Sequence, residues 1–231
     1  MDERAEIFKK ADLFAGLDDE AVSYLASRAK EKKLAKDEIL FIAGEPASGM
    51  FVIAEGSVRA FRSSPDGREQ VIHIERAVTT VAEVTVFDEG SYPSTVAAEE
   101  PTRVFFLPKH DIREACLKHP QLALTAARLL ATRLRKCAEL VETLSLREVG
   151  QRVARVLLEQ ATAKGVKDGS ATFQQPLTHN QLAARIGTVR EVVTRSFIRL
   201  QTLGLVEING KKVNIPDIAA LAKYAASAQF P

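Results

Sequence analysis

The segment from residue 189 to residue 203 combines an apolar stripe with a compact set of polar side chains. Its apolar residues recur at helical spacing and must be buried: Val189, Val193, Phe197 and Leu200. A neighbouring arc of the same helix holds four polar residues: Arg190, Glu191, Thr194 and Arg195. Arginine can donate two hydrogen bonds to guanine, and glutamate can accept one from cytosine. Because a recognition helix contacts bases with its N-terminal residues, this arc predicts base reading in the major groove of DNA.

The residues before this segment predict a second, shorter helix. Thr178 and Gln181 have the spacing of a capping box at a helix start, and Thr188 and Glu191 repeat that spacing. Gly187 lies between the two starts and permits a tight turn. The spacing therefore predicts a helix-turn-helix. Polar residues at its two helix starts are candidate contacts to DNA phosphates: Thr178, His179, Asn180 and Thr188.

The C-terminal part of the chain adds a hairpin and a positive charge to this pair of helices. Residues 148–163 predict a preceding helix, and the sequence GLVEINGKKVNIP predicts a β-hairpin that turns at Asn209-Gly210. The order helix, helix, helix, hairpin is that of a winged helix-turn-helix. Residues 147–231 have a net charge of +6 and residues 1–146 a net charge of −4, so an acidic partner such as nucleic acid is expected. Lys211 and Lys212 are further candidate phosphate contacts.

The N-terminal half predicts a sheet-rich domain. From about residue 38 to residue 107, short β-branched and aromatic runs alternate with Gly, Pro and Asp, as in EILFIAGE and GMFVIAEGSVRAFRSS. In SSPDGRE, Pro65 fixes φ and Gly67 permits a positive φ, which predicts a hairpin turn. Many short strands at close spacing favour a β-sandwich or barrel-like roll. Residues 3–33 are predicted to be helical.

Residues 109–144 predict one long helix with an apolar seam. Apolar residues recur along it at heptad spacing: Leu130, Leu134, Cys137, Val141 and Leu144. Such a seam is suited to pairing with a second copy of the chain, although a helix packed on its own sheet would need no partner. Ser145 and Glu148 form a third capping-box pattern, which predicts a hinge between two domains.

Composition narrows the class of protein further. No run approaches the roughly 18 apolar residues that a membrane span needs, and the start MDERAEIFKK is too charged for a signal peptide. The two cysteines, Cys116 and Cys137, have no metal-type spacing. A cytoplasmic protein without membrane partners is expected. An enzyme is not expected, because the chain has no Ser-His-Asp set, His-rich metal spacing or phosphate-cradling Gly-rich loop.

The segment TVREVVTRSFIRLQTLGLVEINGKKVNI resembles the DNA-binding end of the CRP/FNR family, named after the cyclic-AMP receptor and the fumarate–nitrate regulator. The spacing of Gly44, Gly56 and Asp66-Gly67-Arg68-Glu69, the VAEVTVFDEG segment and the long helix extend the resemblance over essentially the whole chain. It implies an α+β fold: a β-roll (jelly-roll-like) sensor domain at 1–108, a dimerisation helix and hinge at 109–146, and a winged helix-turn-helix at 147–231.

The resemblance also implies a function. Family members bind palindromic promoter sites as homodimers and alter transcription, so double-stranded DNA, a second copy of the chain and RNA polymerase are the expected partners. The pattern of Arg190, Glu191 and Arg195 is similar to the base-reading triplet of the cyclic-AMP receptor, and Thr194 is similar to a serine of the fumarate–nitrate type. Half-sites with a TGA-like core are therefore expected.

The sensor half departs from the ligand patterns of the family. Cyclic-nucleotide-binding members carry Gly-Glu followed by Arg-Ser or Arg-Thr, whereas the matching residues here are Ala82-Glu83 and Pro93-Ser94. Proline supplies neither a charge nor an N–H, so cyclic AMP is not expected as cofactor. Ala82, Glu83 and Ser94 remain the candidate effector pocket. An iron–sulfur cluster is not expected either, because no cysteine precedes Cys116.

Haem sensing and thiol chemistry stay open. His73, His110 and His119 are conceivable axial ligands, although each also suits an ordinary surface or turn position. Cys137 lies in the predicted seam, where oxidation would cross-link two copies, but a packed thiol explains it as well. The effector is therefore unknown. Two other readings of the chain also stand: a small-molecule-binding regulatory subunit, and a protein–protein adaptor that does not bind DNA.

Overall fold

The fold is described from a computed structural model of the chain, over residues 3–88, 90–166 and 169–227. The predicted domain ends at residues 1 and 231 and the loop positions 167–168 lie outside the described residues. Within them the chain divides into two compact units. One unit contains residues 3–62 and 71–137, and the other contains residues 63–70 and 138–227.

The first unit is built on two four-stranded sheets. Its strands are β1 (Lys30–Leu34), β2 (Ile39–Phe41), β3 (Gly49–Glu55), β4 (Ser57–Ser63), β5 (Glu69–Arg76), β6 (Thr79–Val81), β7 (Thr95–Ala98) and β8 (Thr102–Pro108). One sheet has the order β1-β8-β3-β6 and the other the order β2-β7-β4-β5. With the helices described below, these sheets confirm the predicted α+β class.

Strand β3 is apolar along almost its whole length because both of its faces are covered. Met50, Val52 and Ala54 contribute to a core cluster that also contains helical residues such as Phe8. Residues of opposite parity, including Ile53, face a second cluster that includes side chains of the other sheet. Successive side chains of a strand point to opposite faces, so a strand between two cores reads as a continuous apolar run.

The helices of the first unit and the start of the long helix cover the first cluster. They are α1 (Glu3–Lys10), α2 (Asp19–Arg28), α3 (Val84–Phe87), α4 (Lys109–Lys118) and α5 (Pro120–Leu146), with a 3-10 turn at Asp12–Phe14. The prediction of helix for residues 3–33 was wrong at its end, because β1 begins at Lys30. In β1 only Leu34 is buried, and lysines are typical of the exposed edge of a sheet.

The long helix also differs from the prediction at both ends. The region 109–146 forms two helices, because α5 begins at Pro120, a residue favoured at the first position of a helix. The predicted cap at Ser145 was wrong, since Ser145 lies within α5. The next helix is capped by Glu148, whose backbone N–H donates to Gln151 Oε1 at 3.0 Å.

The second unit contains the predicted helices and hairpin and one strand that the sequence did not reveal. Its elements are α6 (Val149–Lys164), β9 (Ala171–Gln174), α7 (His179–Ile186), α8 (Arg190–Thr202), β10 (Glu207–Asn209), β11 (Lys212–Ile215) and α9 (Ile218–Ala226). They form a three-stranded sheet of order β10-β11-β9 and one apolar core. The missed strand β9 pairs with β11 from Ala171 opposite Ile215 to Gln174 opposite Lys212.

Over the part of the chain that the structure describes, no helix has both the length and the apolar character that crossing a membrane requires.

Replacing Gly49 by alanine is expected to destabilise the first unit. A Cβ at this position would lie 2.0 Å from the Leu107 backbone oxygen of the neighbouring strand, so the strands must move apart. Overpacking of this kind costs about 1–3 kcal/mol. Urea unfolding of Gly49→Ala measures the loss. Gly90→Ala is the matched control, because the nearest atoms to a Cβ there belong to an exposed side chain, the carboxylate of Asp88 at 3.2 Å, and not to the backbone of a neighbouring strand. Equal stability of the two variants would contradict the close strand approach.

Candidate DNA-binding site and effector pocket

Helices α7 and α8 are joined by a turn that requires glycine. Gly187 follows α7 with φ 67°, in the left-handed region, and the Thr188 N–H donates to the Ala183 oxygen at 3.0 Å. The predicted capping box at Thr178 and Gln181 is present: the Thr178 side chain accepts from the Gln181 N–H, and Gln181 Oε1 accepts from the Thr178 N–H. The turn therefore sends the chain directly from α7 into α8.

The predicted second capping box was wrong. Helix α8 begins at Arg190, its cap residue is Val189, and no side chain supplies a cap bond. Thr188 instead closes the turn through its backbone N–H. The Thr188 hydroxyl is therefore not committed to a helix cap, and the first N–H groups of α8 have no side-chain cap.

Burial of the apolar stripe fixes which face of α8 points outward. Val193, Phe197 and Leu200 are almost completely buried, and they belong to the core cluster that also contains residues of α6, α7 and β11. Val189, predicted in the same stripe, is half-buried. Because the stripe occupies one side of the helix, the opposite side must face solvent.

Three of the four predicted base-reading residues are exposed on that outer face. Arg190, Glu191 and Arg195 are exposed, and within the described residues none of their side chains forms an ion pair. Thr194 is half-buried. Its hydroxyl donates to the Arg190 oxygen at 3.1 Å and lies 2.9 Å from His179 Nδ1. The structure thus brings all four residues to the first two turns of α8.

The predicted phosphate contacts fall into three places. Thr178 and Asn180 are exposed at the start of α7. His179 is half-buried there, and its ring stacks on that of Phe197 with a centroid distance of 5.1 Å. Thr188 lies half-buried in the turn. The two lysines are exposed at the turn of the hairpin, where Asn209 pairs with Lys212: Lys211 and Lys212.

Arg152 is a site-supporting residue that the sequence analysis missed. It is almost completely buried in α6, and its Nη1 donates to the Ile186 oxygen and, at 3.4 Å, to the Gly187 oxygen. These carbonyls end α7, where a cation is favoured by the helix dipole. No carboxylate pairs with it in the described residues, and burial lowers the pKa of its guanidinium. No local pattern in the sequence indicated this role, because the carbonyls that Arg152 binds lie more than 30 residues away along the chain.

The predicted effector residues lie at a cavity of about 240 Å³ in the first unit. Ala82 and Ser94 line it, together with Pro93. Ala82 has φ 70°, a backbone conformation that favours glycine. This conformation explains why glycine is typical of the position in the family that the sequence resembles. Glu83 is completely buried and is not among the residues that line the cavity.

Glu83 is held by an arginine that the sequence analysis also missed. Arg133 of α5 pairs through Nη1 with Glu83 Oε2, and its Nη2 lies 3.2 Å from Glu75 Oε1. Nη2 also donates to the Thr80 oxygen at 2.6 Å. Burial raises the pKa of Glu83, and the Arg133 charge opposes that rise. Spacing along the chain could not reveal this pair, because 50 residues separate its members.

The candidate haem ligands do not meet at one place. His73 lines the cavity, and burial and the nearby Arg133 lower its pKa. His110 is exposed with Nε2 3.1 Å from Asp111 Oδ1, and His119 ends α4. Within residues 3–88, 90–166 and 169–227, no group of three or more His, Cys, Asp or Glu residues is arranged to hold a metal ion.

The predicted seam of α5 is an apolar surface that the described residues of the single chain cover only in part. Leu134 is 72% exposed and Val141 64% exposed, and Cys137 is exposed with a free thiol. Leu130 and Leu144 are half-buried. The other cysteine, Cys116, is half-buried, and burial raises the pKa of its thiol.

Comparison with known proteins decides the family. The cyclic nucleotide-binding domain model matches residues 31–119, and the Crp-like helix-turn-helix model matches residues 151–224. The cyclic AMP receptor protein of Thermus thermophilus is 30% identical over 217 residues, which cover 94% of this chain and 98% of that relative. The chain belongs to the CRP/FNR family of transcription regulators. A CRP-like cAMP-activated global transcriptional regulator of Mycobacterium tuberculosis is 28% identical over 221 residues, covering 95% and 99% of the two chains.

A solved structure shares the fold. The CRP/FNR-family regulator of Eubacterium rectale superimposes with a TM-score of 0.77 at 22% identity, covering 93% of this chain and 98% of that one. Members of the family are DNA-binding transcription regulators, and homodimers and palindromic sites are typical of them. The chain is therefore a DNA-binding transcription regulator, which confirms the function predicted from its helix-turn-helix.

Arg152→Met is expected to loosen the turn before α8. It leaves the Ile186 and Gly187 carbonyls without their donor, and such a loss costs about 1–3 kcal/mol of stability. Affinity for an operator should fall more than affinity for random DNA, because base reading needs the fixed orientation of α8. Chemical unfolding and fluorescence anisotropy measure the two effects. Arg155→Met is the control: Arg155 is exposed on the same helix, and its one ion pair among the described residues is with Glu159, at 3.4 Å. Similar effects of both changes would contradict the role of Arg152.

Proposed function

We propose that α8 enters the major groove and that Arg190, Glu191 and Arg195 read base edges there. The observation that carries the proposal is the orientation of α8: burial of Val193 and Phe197 leaves these three charges exposed and unpaired within the described residues. The similarity of the triplet to that of the cyclic-AMP receptor supports half-sites with a TGA-like core.

Thr194 takes a different part in the same contact. Its hydroxyl already bonds to the Arg190 oxygen and meets His179, so its methyl group is what it offers to DNA. A threonine methyl suits the methyl group of thymine. Such a contact would add shape selectivity beside the hydrogen bonds of the charged residues.

The phosphate contacts surround this helix. We assign them to Thr178 and Asn180 at the start of α7, to Thr188 in the turn, and to His179 through Nε2, which has no partner within the described residues. Lys211 and Lys212 would reach phosphates from the hairpin. These contacts fix the position of the protein on the duplex and carry no sequence information themselves.

The remaining parts of the chain give the context of this reading. We infer a homodimer that forms along the α5 seam, whose exposed leucine and valine would be covered by a second copy. RNA polymerase as partner, regulation without catalysis, and action in the cytoplasm are inferred from the family alone. The boundaries 1–108, 109–146 and 147–231 stay our division into sensor, dimerisation helix and DNA-binding domain.

The β-roll is proposed as the sensor, but its cavity does not fit a cyclic nucleotide. Pro93 lies where a phosphate-binding arginine is typical, and Arg133 is engaged by Glu83 and Glu75. A buried phosphate without a cation is costly. The chemistry of the signal must therefore differ from that of cyclic AMP.

Arg195→Ala should lower discrimination between operator and random DNA by about 1–3 kcal/mol, because a base contact is lost. Lys212→Ala should weaken binding to both kinds of DNA alike and should reduce the salt dependence of binding. Fluorescence anisotropy at several salt concentrations, on an inverted repeat found by selection from random sequences, measures both. An Arg195→Ala variant that loses equal affinity for the two DNAs would contradict base reading by this residue.

Leu134→Glu should convert the dimer to a monomer, because it puts a charge into the apolar seam. Two recognition helices then no longer bind one DNA, and operator affinity falls by at least about 100-fold, in the range expected for loss of a linked second site. Analytical ultracentrifugation reports the mass. Leu117→Glu is the control, since Leu117 is 84% exposed on α4, outside the seam. A dimeric Leu134→Glu variant with unchanged affinity would refute this interface.

A further inference from the structure

The cavity of the first unit is mainly apolar. Its wall is formed largely by carbon-rich side chains: Phe41, Ile72, Val81, Val84, Pro93 and Val96. At about 240 Å³ it is smaller than the roughly 300–1,000 Å³ of typical drug-sized sites. Binding of a small apolar molecule in such a cavity is favourable, because it removes apolar surface from water.

The charged groups at the cavity already balance one another. The groups that face it are His73, Glu75, Arg133 and Lys136. Arg133 is bound by Glu75 and by the fully buried Glu83, and burial lowers the pKa of His73, which disfavours the charged form of its ring. Lys136, which is exposed, is the cation at the cavity that pairs with no carboxylate in the described residues. With Glu75 and with Glu83, which lies outside the cavity wall, Arg133 already has two carboxylate partners.

An anionic ligand would have to break this arrangement. To pair with Arg133, it would displace Glu83 or Glu75, and Glu83 would then lie buried without its counter-ion. Removing one partner of a buried pair is strongly unfavourable. An anionic ligand could instead pair with Lys136 alone. The ammonium of Lys136 is solvated at an exposed position, where an ion pair contributes little to the free energy of binding.

Ser94 supplies one polar group to the cavity. It is 6% exposed and lines the cavity, and its side chain makes no hydrogen bond within the described residues. Its oxygen is open to the space of the cavity, so a ligand with one donor or acceptor can hydrogen-bond to it without displacing a protein partner. Pro93 beside it offers no N–H.

We propose that this cavity binds an uncharged, mainly apolar small molecule that carries one hydroxyl or carbonyl group, which hydrogen-bonds to Ser94. The inference rests on the proposed role of the β-roll as the sensor and gives the chemical class of its ligand. The ligand lies beside Arg133 and Cys137 of α5, so its binding acts directly on the helix that carries the seam.

Binding of 2-naphthol to the full-length protein tests the proposal. This probe is apolar, has one hydroxyl and is neutral at pH 7, since phenolic groups ionise near pH 10. Its fluorescence is free of tryptophan background, because the chain contains no tryptophan. We expect saturable binding of 2-naphthol. Its dissociation constant should be about tenfold lower than that of naphthalene, because the hydroxyl of 2-naphthol adds one hydrogen bond. The anion 2-naphthoate and cyclic AMP should bind at least about tenfold more weakly than 2-naphthol.

Variants locate the site. Ser94→Ala should weaken 2-naphthol about tenfold and leave naphthalene unchanged. Ile72→Trp should fill the cavity and abolish binding of both, whereas Leu117→Trp, on an exposed surface, should change neither. Because each of these two variants adds a tryptophan, equilibrium dialysis measures their binding in place of fluorescence. If Ser94→Ala does not fold, the wild-type protein alone still tests the hydrogen bond, through the difference between its affinities for 2-naphthol and for naphthalene.

Three results would overturn the proposal: tighter binding of 2-naphthoate or cyclic AMP than of 2-naphthol, no saturable binding of the neutral probes, or binding that Ile72→Trp leaves intact. Operator binding is measured on the same preparation. A protein that binds its operator but none of the neutral probes refutes the ligand class alone, and a protein that binds no operator refutes the proposed function.

Discussion

The packing of the α8 stripe against the core of the second unit is the interaction on which the functional site depends. Val193, Phe197 and Leu200 have almost no exposed surface, and burial of each such side chain contributes about 1.5–3 kcal/mol. Rotating α8 to hide its charges would expose this stripe to water. The core therefore fixes the outward direction of Arg190, Glu191 and Arg195.

The turn before α8 is held from two sides. The left-handed Gly187 lets the chain reverse, and Arg152 bonds the carbonyls that the end of α7 leaves without partners. His179 adds a third support, because it stacks on Phe197 and meets Thr194. A residue predicted to contact phosphate is thus also part of the packing that orients α8.

Local signals carried most of what the sequence could predict. The cap at Thr178, the glycine turn, the stripe of α8 and the alternating strands depend on neighbours within a few residues, so their spacing was informative. Strand β9 was missed because its pairing with β11 is set by tertiary contact. The break at Pro120 and the cap at Glu148 were mistaken because another local pattern fitted equally well. The pair of Glu83 and Arg133 and the bonds of Arg152 join distant parts of the chain, and no spacing rule reveals such partners.

Protection of guanine N7 from dimethyl sulfate tests the reading of DNA by α8 most directly, because N7 lies in the major groove. The account predicts two groups of protected guanines about 34 Å apart, one helical turn of DNA. It also predicts that Arg195→Ala restores reactivity at one guanine of each group. Full reactivity of every guanine N7 in a saturated complex, with protection only of adenine N3 in the minor groove, would contradict it.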